Sequence, residues 1–411
     1  MMEKWQEGAE FYFTTEADLR DAVTEMEQNS SWITDIPSNQ LVLVGVPSPI
    51  EAEAFAKAHG LDVEITRENS SGAKNGRRDM TDSGTGLVLS IPDLTNPEAT
   101  SEWLNVSRSA WGTLTETAKL SGSALNVMDS KQAAQCLNMG LAVAKGKSRI
   151  LKRYGKIMAV HTMGYIPMPI SNLLSVVKKE LESRFGFASF IEGRNSATYT
   201  TALYTLPSQQ KALNAKYESA LAGSVSRVHG TDNIMPAVRF SSSDTARSAA
   251  TLEAIFLRND EVISLTDPVG VKHEQKAKGL SGIDAFEKLP DELFARFDES
   301  FKLIEKLAKQ EIKNPVNAYV GVVNYLNRGN SAIPQHYAES GRMDVEFYAV
   351  NNPVMSAYDI YLCLGSSVAM AESVGAPHST IVRMQEAIAK SLKLDWTKYD
   401  IGGTVAWGRG K

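Results

Sequence analysis

The sequence predicts an α+β fold: a mixed α/β N-terminal unit, a central sheet with helices, and a mainly helical C-terminal part. Three observations predict it. The first 130 residues alternate short apolar runs with helix-start signatures. The middle interleaves β-branched and aromatic runs with helical spacings, and the last third sustains a 3–4 apolar spacing. These place an acidic α/β unit at 1–130, a basic α+β core at 131–283 and a mainly helical region packed on that core at 284–411.

In chain order, Thr15 to Asn29 reads as a short acidic helix and Gln40 to Val46 as a buried strand. Ser48-Pro49-Ile50-Glu51 places Ser at N-cap, Pro at N1 and Glu at N3, and Gly60 ends that helix. Leu61 to Thr66 and Gly86 to Ile91 read as strands, with a Ser-, Gly- and Asn-rich surface loop, Arg67 to Gly84, between them. Trp103, Leu104, Trp111 and Leu114 at helical spacings predict one long helix over Pro97 to Leu120.

Asp129 opens a helix through Ala144; Ile157 to Thr162 is a strand, and Ser171 caps a helix to Phe185. Phe187 to Glu192 and Ala197 to Leu206 predict a hairpin turning at Gly193 to Ser196. A helix over Pro207 to Ala222 and a strand over Met235 to Phe240 follow. Phe286, Leu289, Leu293, Phe297, Phe301, Ile304 and Leu307 place Asp284 to Ile312 in a helix. Ala357 to Val374 and Ser379 to Leu392 form a helical pair broken at Gly375-Ala-Pro377, and the Gly-rich tail from Gly402 is expected to fray.

The composition, 43% hydrophobic and 22% charged over 411 residues, excludes whole-chain disorder and collagen-like repeats. Cys136 and Cys363 make neither a zinc knuckle nor a disulfide framework, and each is expected to pack on a helix. Met1 to Glu7 is polar and acidic, so no signal peptide is expected, and no run of 18 apolar residues spans a membrane. A reducing cytoplasm is the expected compartment.

The net charge of −5 conceals an asymmetry. Residues 1–130 carry 9 basic against 21 acidic side chains, net −12; residues 131–250 carry 16 against 6, net +10; the remainder is net −3. The positive part concentrates in 145–156, where Lys145, Lys147, Arg149, Lys152, Arg153 and Lys156 stand without an acid. Clustered cations release counterions on meeting phosphates, so this segment, read as a loop or strand-edge arm with Tyr154 as a stacking ring, is a candidate nucleic-acid contact. The plain alternative is a solvated basic face paired with the acidic N-terminal region, in cis or between subunits. Arg239, Ser243 and Arg247 offer a second anion site if Ser243 or Asp244 caps a helix running from Thr245 to Phe256. A strand-to-helix corner with Asp244 bridged to Arg247 explains the same residues.

Catalytic signals are weak. Neither GxxxxGK[ST], HExxH nor GxSxG occurs, and the six histidines lack metal-ligand spacing. His161, inside an apolar strand, reads as a satisfied core histidine, and His229-Gly-Thr-Asp232 reads equally as a His/Asp pair or an Asx-turn. Asp344 and Glu346, on one face of a short strand, are the acids a metal-dependent nuclease would use, without a third partner. No catalytic residue, metal or cofactor is assigned.

Asn138-Met-Gly-Leu-Ala, Arg153-Tyr-Gly-Lys-Ile-Met-Ala-Val-His-Thr, Pro236 to Ala249 and Ala357-Tyr-Asp-Ile-Tyr carry a family likeness. Over roughly residues 130–400 the chain resembles the phage- and plasmid-related family carried as domain of unknown function number 932. The first 130 residues share little beyond the α/β pattern. The resemblance implies a protein of mobile elements, near genes of replication, recombination or conjugation, and adds weight to the Arg239 to Arg247 segment; it carries over no catalytic residues. The expectation is a non-enzymatic protein that binds nucleic acid, single-stranded by preference, and forms a homo-oligomer. A self-assembling or host-interaction protein held by acidic–basic contacts is the alternative, and a metal-dependent nuclease the third.

Overall fold

The computed structural model describes residues 9–65, 85–94, 101–121, 124–125, 128–229, 233–245, 248–258, 261–265, 268–274, 282–328 and 332–408. The surface loop expected from Arg67 to Gly84 lies outside the described residues. The architecture is α+β, built on two sheets.

The chain begins in the sheet it later completes. Strand β1 (Glu10–Phe13) and helix α1 (Glu16–Gln28), whose N-cap Thr15 accepts from the Asp18 amide, pack with elements beyond residue 163. Next come β2 (Ser30–Pro37), β3 (Val42–Gly45), α2 (Pro49–His59), β4 (Leu87–Ile91) and β5 (Glu102–Val106). Helices α3 (Ala110–Thr117) and α4 (Ser130–Val143) precede β6 (Lys147–Arg153) and β7 (Lys156–Thr162). The first sheet has the order β2-β6-β7-β5-β4-β3, with β5 and β7 parallel and the other pairs antiparallel. Leu43, Leu89, Val106, Ile150 and Val160 bury one face against Leu114 of α3 and Leu137 and Leu141 of α4. This sheet runs from residue 30 to 162, across the boundary placed at 130.

Two local signals at helix starts hold in this unit. Ser48 Oγ accepts from the Glu51 amide, Pro49 opens α2 and Gly60 closes it at φ 68°. Asp129 and Gln132 form a reciprocal capping box on α4. Three expectations fail in this unit. The long helix over 97–120 is instead β5 followed by α3, because β5 fills the lane between β4 and β7, and tertiary pairing overrides helical spacing. Residues 61–65 form no strand: the Glu64 amide and the Asp62 carbonyl bond to the Asn105 side chain, and the Glu64 carbonyl accepts from Gly86. The basic segment is an interior strand rather than an arm. It turns at Tyr154-Gly155, where φ values of 48° and 75° are the two positive angles a tight type I′ hairpin requires.

The second unit continues with α5 (Ile170–Phe185), β8 (Ser189–Ser196), β9 (Thr200–Thr205) and α6 (Pro207–Leu221). Strands β10 (Met235–Ser242), β11 (Ala250–Arg258), β12 (Glu261–Ser264) and β13 (Val269–Val271) complete an antiparallel sheet ordered β1-β8-β9-β10-β11-β12, with β13 also on β11. Leu19, Val177, Leu181, Tyr204, Phe240 and Phe256 belong to its large apolar core. Ser171 does not cap α5; Pro169 holds that position, and Ser171 donates its hydroxyl to Glu27. The hairpin turns at 197–199 rather than 193–196, since Glu192 to Asn195 pair with β9. The helix expected from Thr245 to Phe256 does not form, since Ala250–Arg258 is strand β11. Thr251, Leu252, Ile255 and Phe256 suit a pleated surface, and β11 pairs with β10 along its length.

The last part is mainly helical: α7 (Gly282–Phe286), α8 (Leu289–Ala308), α9 (Pro315–Leu326), α10 (Gln335–Asn351), α11 (Ala357–Ser373) and α12 (His378–Ser391), with the short pair β14 (Glu311–Ile312) and β15 (Met355–Ser356). The single helix expected over Asp284 to Ile312 is instead α7 and α8, with Ile312 drawn into β14 by pairing with Met355. Asp344 and Glu346 lie on helix α10, not a strand; Asp344 accepts from Ser366 and Glu346 pairs with Arg342. At Gly341 a Cβ would sit 2.3 Å from the Cys363 carbonyl, so α10 and α11 approach too closely for a side chain there. Among the described residues no helix is long and apolar enough to cross a membrane, and no three His, Cys, Asp or Glu side chains converge to hold a metal.

Candidate ligand cleft at the seam of the two sheets

The β6–β7 hairpin presents two faces, because side chains alternate along a strand. One faces the α3–α4 core. The other carries Leu151 and Ala159, joined by Met158 where a bulge opposite Leu151 and Lys152 interrupts the alternation, and these pack with Trp32 and with Ala197 of the second unit. Arg149 and His161 are cross-strand partners on this hairpin, so the pairing register sets them side by side.

Arg153, 1% exposed, crosses the seam. Its guanidinium grips both carboxylate oxygens of Asp244 and also donates to Ser30 Oγ and the Ala197 carbonyl. The Asp244 carbonyl then takes two donors: His161 Nε2 at 3.2 Å and Tyr165 Oη at 3.1 Å. Arg149 donates to the Tyr165 carbonyl. His161 stacks on Tyr165 at 3.7 Å and 10°, Tyr165 lies nearly parallel to His273 at 5.1 Å, and Trp32 flanks them at 5.6 Å from Tyr165. His273 Nδ1 lies 3.2 Å from the Ile166 carbonyl.

His161, Tyr165 and His273 wall a cleft of about 510 Å³, completed by Thr113, Glu116 and Thr117 of α3, by Thr162 and Ser248, and by Lys272 and Glu274 at its rim. Burial drives the His161 pKa down to about 4, outweighing the Asp244 carbonyl that favours its charged form; burial also lowers His273 and raises the Tyr165 hydroxyl. All three rings are therefore neutral near pH 7 and act by stacking and by hydrogen bonding. Ser248 Oγ and His273 Nε2 are buried without a hydrogen-bond partner.

Desolvation of His161 has a measurable result. Its folded pKa of about 4 lies below the ordinary 6.5, so the unfolded chain takes up a proton first as pH falls between those values. The folded state is penalised progressively across that window, by roughly 1.4 kcal/mol per pH unit and up to about 3 kcal/mol for this group. The urea midpoint of the wild type is expected to fall more steeply from pH 6.5 to 4 than that of His161→Gln. Parallel curves would show that His161 is solvated.

The residues singled out from sequence divide between the seam and pairs made within the chain. Lys145 stands exposed before β6. Lys147 pairs with Asp35 at 3.1 Å, Lys152 with Glu102, and Lys156 with Glu64 at 2.6 Å. All three acids belong to the −12 region, so part of the charge asymmetry is met in cis. Arg149 and Arg153 turn inward and support the ring cluster. Tyr154 sits half-buried in the turn, its hydroxyl pKa pushed up to about 12 by burial. Arg239 is buried on the second sheet, bonded to Glu253 and Gln385, while Ser243 donates to the Thr198 carbonyl at 2.7 Å. Neither forms the anticipated helix-start anion site, and Arg247 lies outside the described residues.

His161, Tyr165, Ser248 and His273 are the residues local reading did not join. His161 was legible as a core histidine and Tyr165 as one aromatic among several; no local pattern around Ser248 or His273 marks a site. Comparison of the chain with protein families, curated proteins and solved structures finds no match.

Proposed function

We propose that this is a nucleic-acid-binding protein of mobile elements, selective for single strands, and that the seam cleft rather than the basic strand receives a base. The ring-walled cleft carries this reading. Its volume of about 510 Å³ suits one nucleotide-sized ligand, and aromatic rings beside polar groups are what an unpaired base needs to stack and be held. Lys272 at the rim pairs with Glu274 at 3.5 Å, and this exposed pair, like Lys147–Asp35, is of the kind that salt and phosphates compete away. The family resemblance supplies the mobile-element setting. The self-assembly alternative draws on the same charges, and Asp35, Glu64 and Glu102 are already engaged within the chain.

Titrating labelled single-stranded DNA at several salt concentrations tests the proposal. Affinity is expected to fall with salt, exceed that for duplex of the same sequence, and lose about 0.7 from its salt slope in Lys272→Ala, the loss of one phosphate contact. Lys152→Ala, which faces Glu102, is expected to change little. Binding without a salt slope, or unaffected by Lys272→Ala, would count against the cleft.

A further inference from the structure

We propose that the outer face of α9, with Glu339 of α10, is a binding site for an extended peptide of another protein, and that residues 401–408 of this chain are its resident, displaceable occupant. Asp400 fixes the chain at the start of α9: its carboxylate accepts from the Lys313 and Asn314 amides at 3.0 and 2.6 Å and from the Asn314 side chain at 2.8 Å. Beyond Asp400 the hold comes from two asparagines. Asn317 Nδ2 donates to the Ile401 and Gly403 carbonyls at 2.6 and 2.7 Å, and its Oδ1 accepts from the Val405 amide at 3.2 Å. Asn324 repeats this two turns on, donating to the Ala406 carbonyl at 3.0 Å and accepting from the Gly408 amide at 2.6 Å.

An asparagine side chain is a copy of the peptide group, donor and acceptor together, so it satisfies a passing main chain as a neighbouring strand does. These bonds hold main-chain groups only and do not depend on which side chains the peptide carries. Gly321 lies between the two asparagines, where a Cβ would come 3.0 Å from the Tyr399 ring, so α9 leaves room for the chain to enter. Sequence is read at two points. Val405 and Trp407 are half-buried against the core, and Trp407 Nε1 donates to Glu339 at 3.0 Å. The pattern recognised is a β-branched residue, any residue, then Trp.

The resident is lightly held. Apart from Val405 and Trp407, residues 401–408 are exposed. Gly402-Gly403 at its root, with Gly403 at φ 86°, is a pivot that costs glycine little. The resident also leaves surface uncovered. Met343, Phe347 and Val350 follow Glu339 along one face of α10 and are 60, 72 and 80% exposed. A peptide with further apolar side chains covers that stripe as well. The same segment of a second copy makes only the resident's contacts, and it competes against a tethered rival at an effective concentration of ~1 mM. The occupant that displaces the resident is therefore a peptide of a different protein.

The test uses a labelled synthetic peptide of residues 400–408, the same peptide flanked by two leucines at each end, and the Trp407→Ala variant, which weakens the resident and leaves α9 and α10 intact. Trp407→Ala is expected to bind the plain peptide saturably, and the wild type at least tenfold more weakly, because its own segment competes. Adding Asn317→Ala and Asn324→Ala to that variant is expected to cost tenfold or more. The flanked peptide is expected to bind about tenfold tighter than the plain one and to lose that gain in Phe347→Ser. No saturable binding to Trp407→Ala, or binding indifferent to the two asparagines, overturns the site. A flanked peptide that binds no tighter overturns the choice of occupant, as does a wild-type mass that doubles with concentration and reverts when both asparagines are replaced. Should Trp407→Ala misfold, hydrogen exchange of the wild type decides: the Val405 and Gly408 amides are expected to exchange at least about 100-fold faster than those of Val322 and Val323 within α9, and equal protection overturns a displaceable resident.

Discussion

Arg153→Met is expected to lower the unfolding free energy by about 3–5 kcal/mol, the range for breaking one side of a buried ion pair. The side chain is 1% exposed and makes four hydrogen bonds: to Ser30, to the Ala197 carbonyl and to both Asp244 oxygens. Methionine has similar length and fills much of the volume, but leaves the Asp244 carboxylate, 13% exposed, with no counter-charge. The damage reaches the cleft, because the Asp244 carbonyl orients His161 and Tyr165. Urea denaturation checks it, and Lys152→Ala on the same strand is the control: its exposed pair with Glu102 should contribute at most about 1 kcal/mol. The double variant Arg153→Met, Asp244→Leu is expected to recover part of the loss, since removing both charges removes the unpaired one. A single variant within 1 kcal/mol of wild type would mean that Asp244 is solvated at the seam.

Phe256→Ala is expected to cost about 3–5 kcal/mol, by losing transfer free energy and leaving a cavity. Phe256 lies on β11, fully buried, with Phe297 and Phe301 each 5.6 Å away and Tyr217 at 6.1 Å. Those rings belong to α8 and α6, so one side chain bonds the sheet to two helices. Phe256→Leu, which leaves a smaller cavity, is expected to cost less than half as much. An unchanged denaturant slope with a lower midpoint would show that stability alone has moved; a loss near 1 kcal/mol would show that α8 collapses onto the vacated space.

Much of the fold is legible locally, and the reason is range. Ser48-Pro49 with Gly60, and Asp129 with Gln132, define helix ends because a cap and the amides it satisfies lie within four residues. The 3–4 spacing from Leu293 to Leu307 likewise defines the buried stripe of α8 within one window. The readings that failed lie where a distant partner outweighs local preference. Glu102 to Val106 is a strand because β4 and β7 flank it, and residues 250–258 are a strand because β10 offers a ladder of partners.

Charge and site follow the same division. By itself the sequence determines the α+β class, the helix ends, the apolar stripes and the basic stretch at 145–156, because each depends on residues close along the chain. Tertiary structure alone decides that Lys147, Lys152 and Lys156 meet Asp35, Glu102 and Glu64, and that Arg149 and Arg153 turn into a seam. It alone brings Thr113, His161, Tyr165, Ser248 and His273 to one cleft. A charge becomes buried or paired only through neighbours that packing supplies from far along the chain.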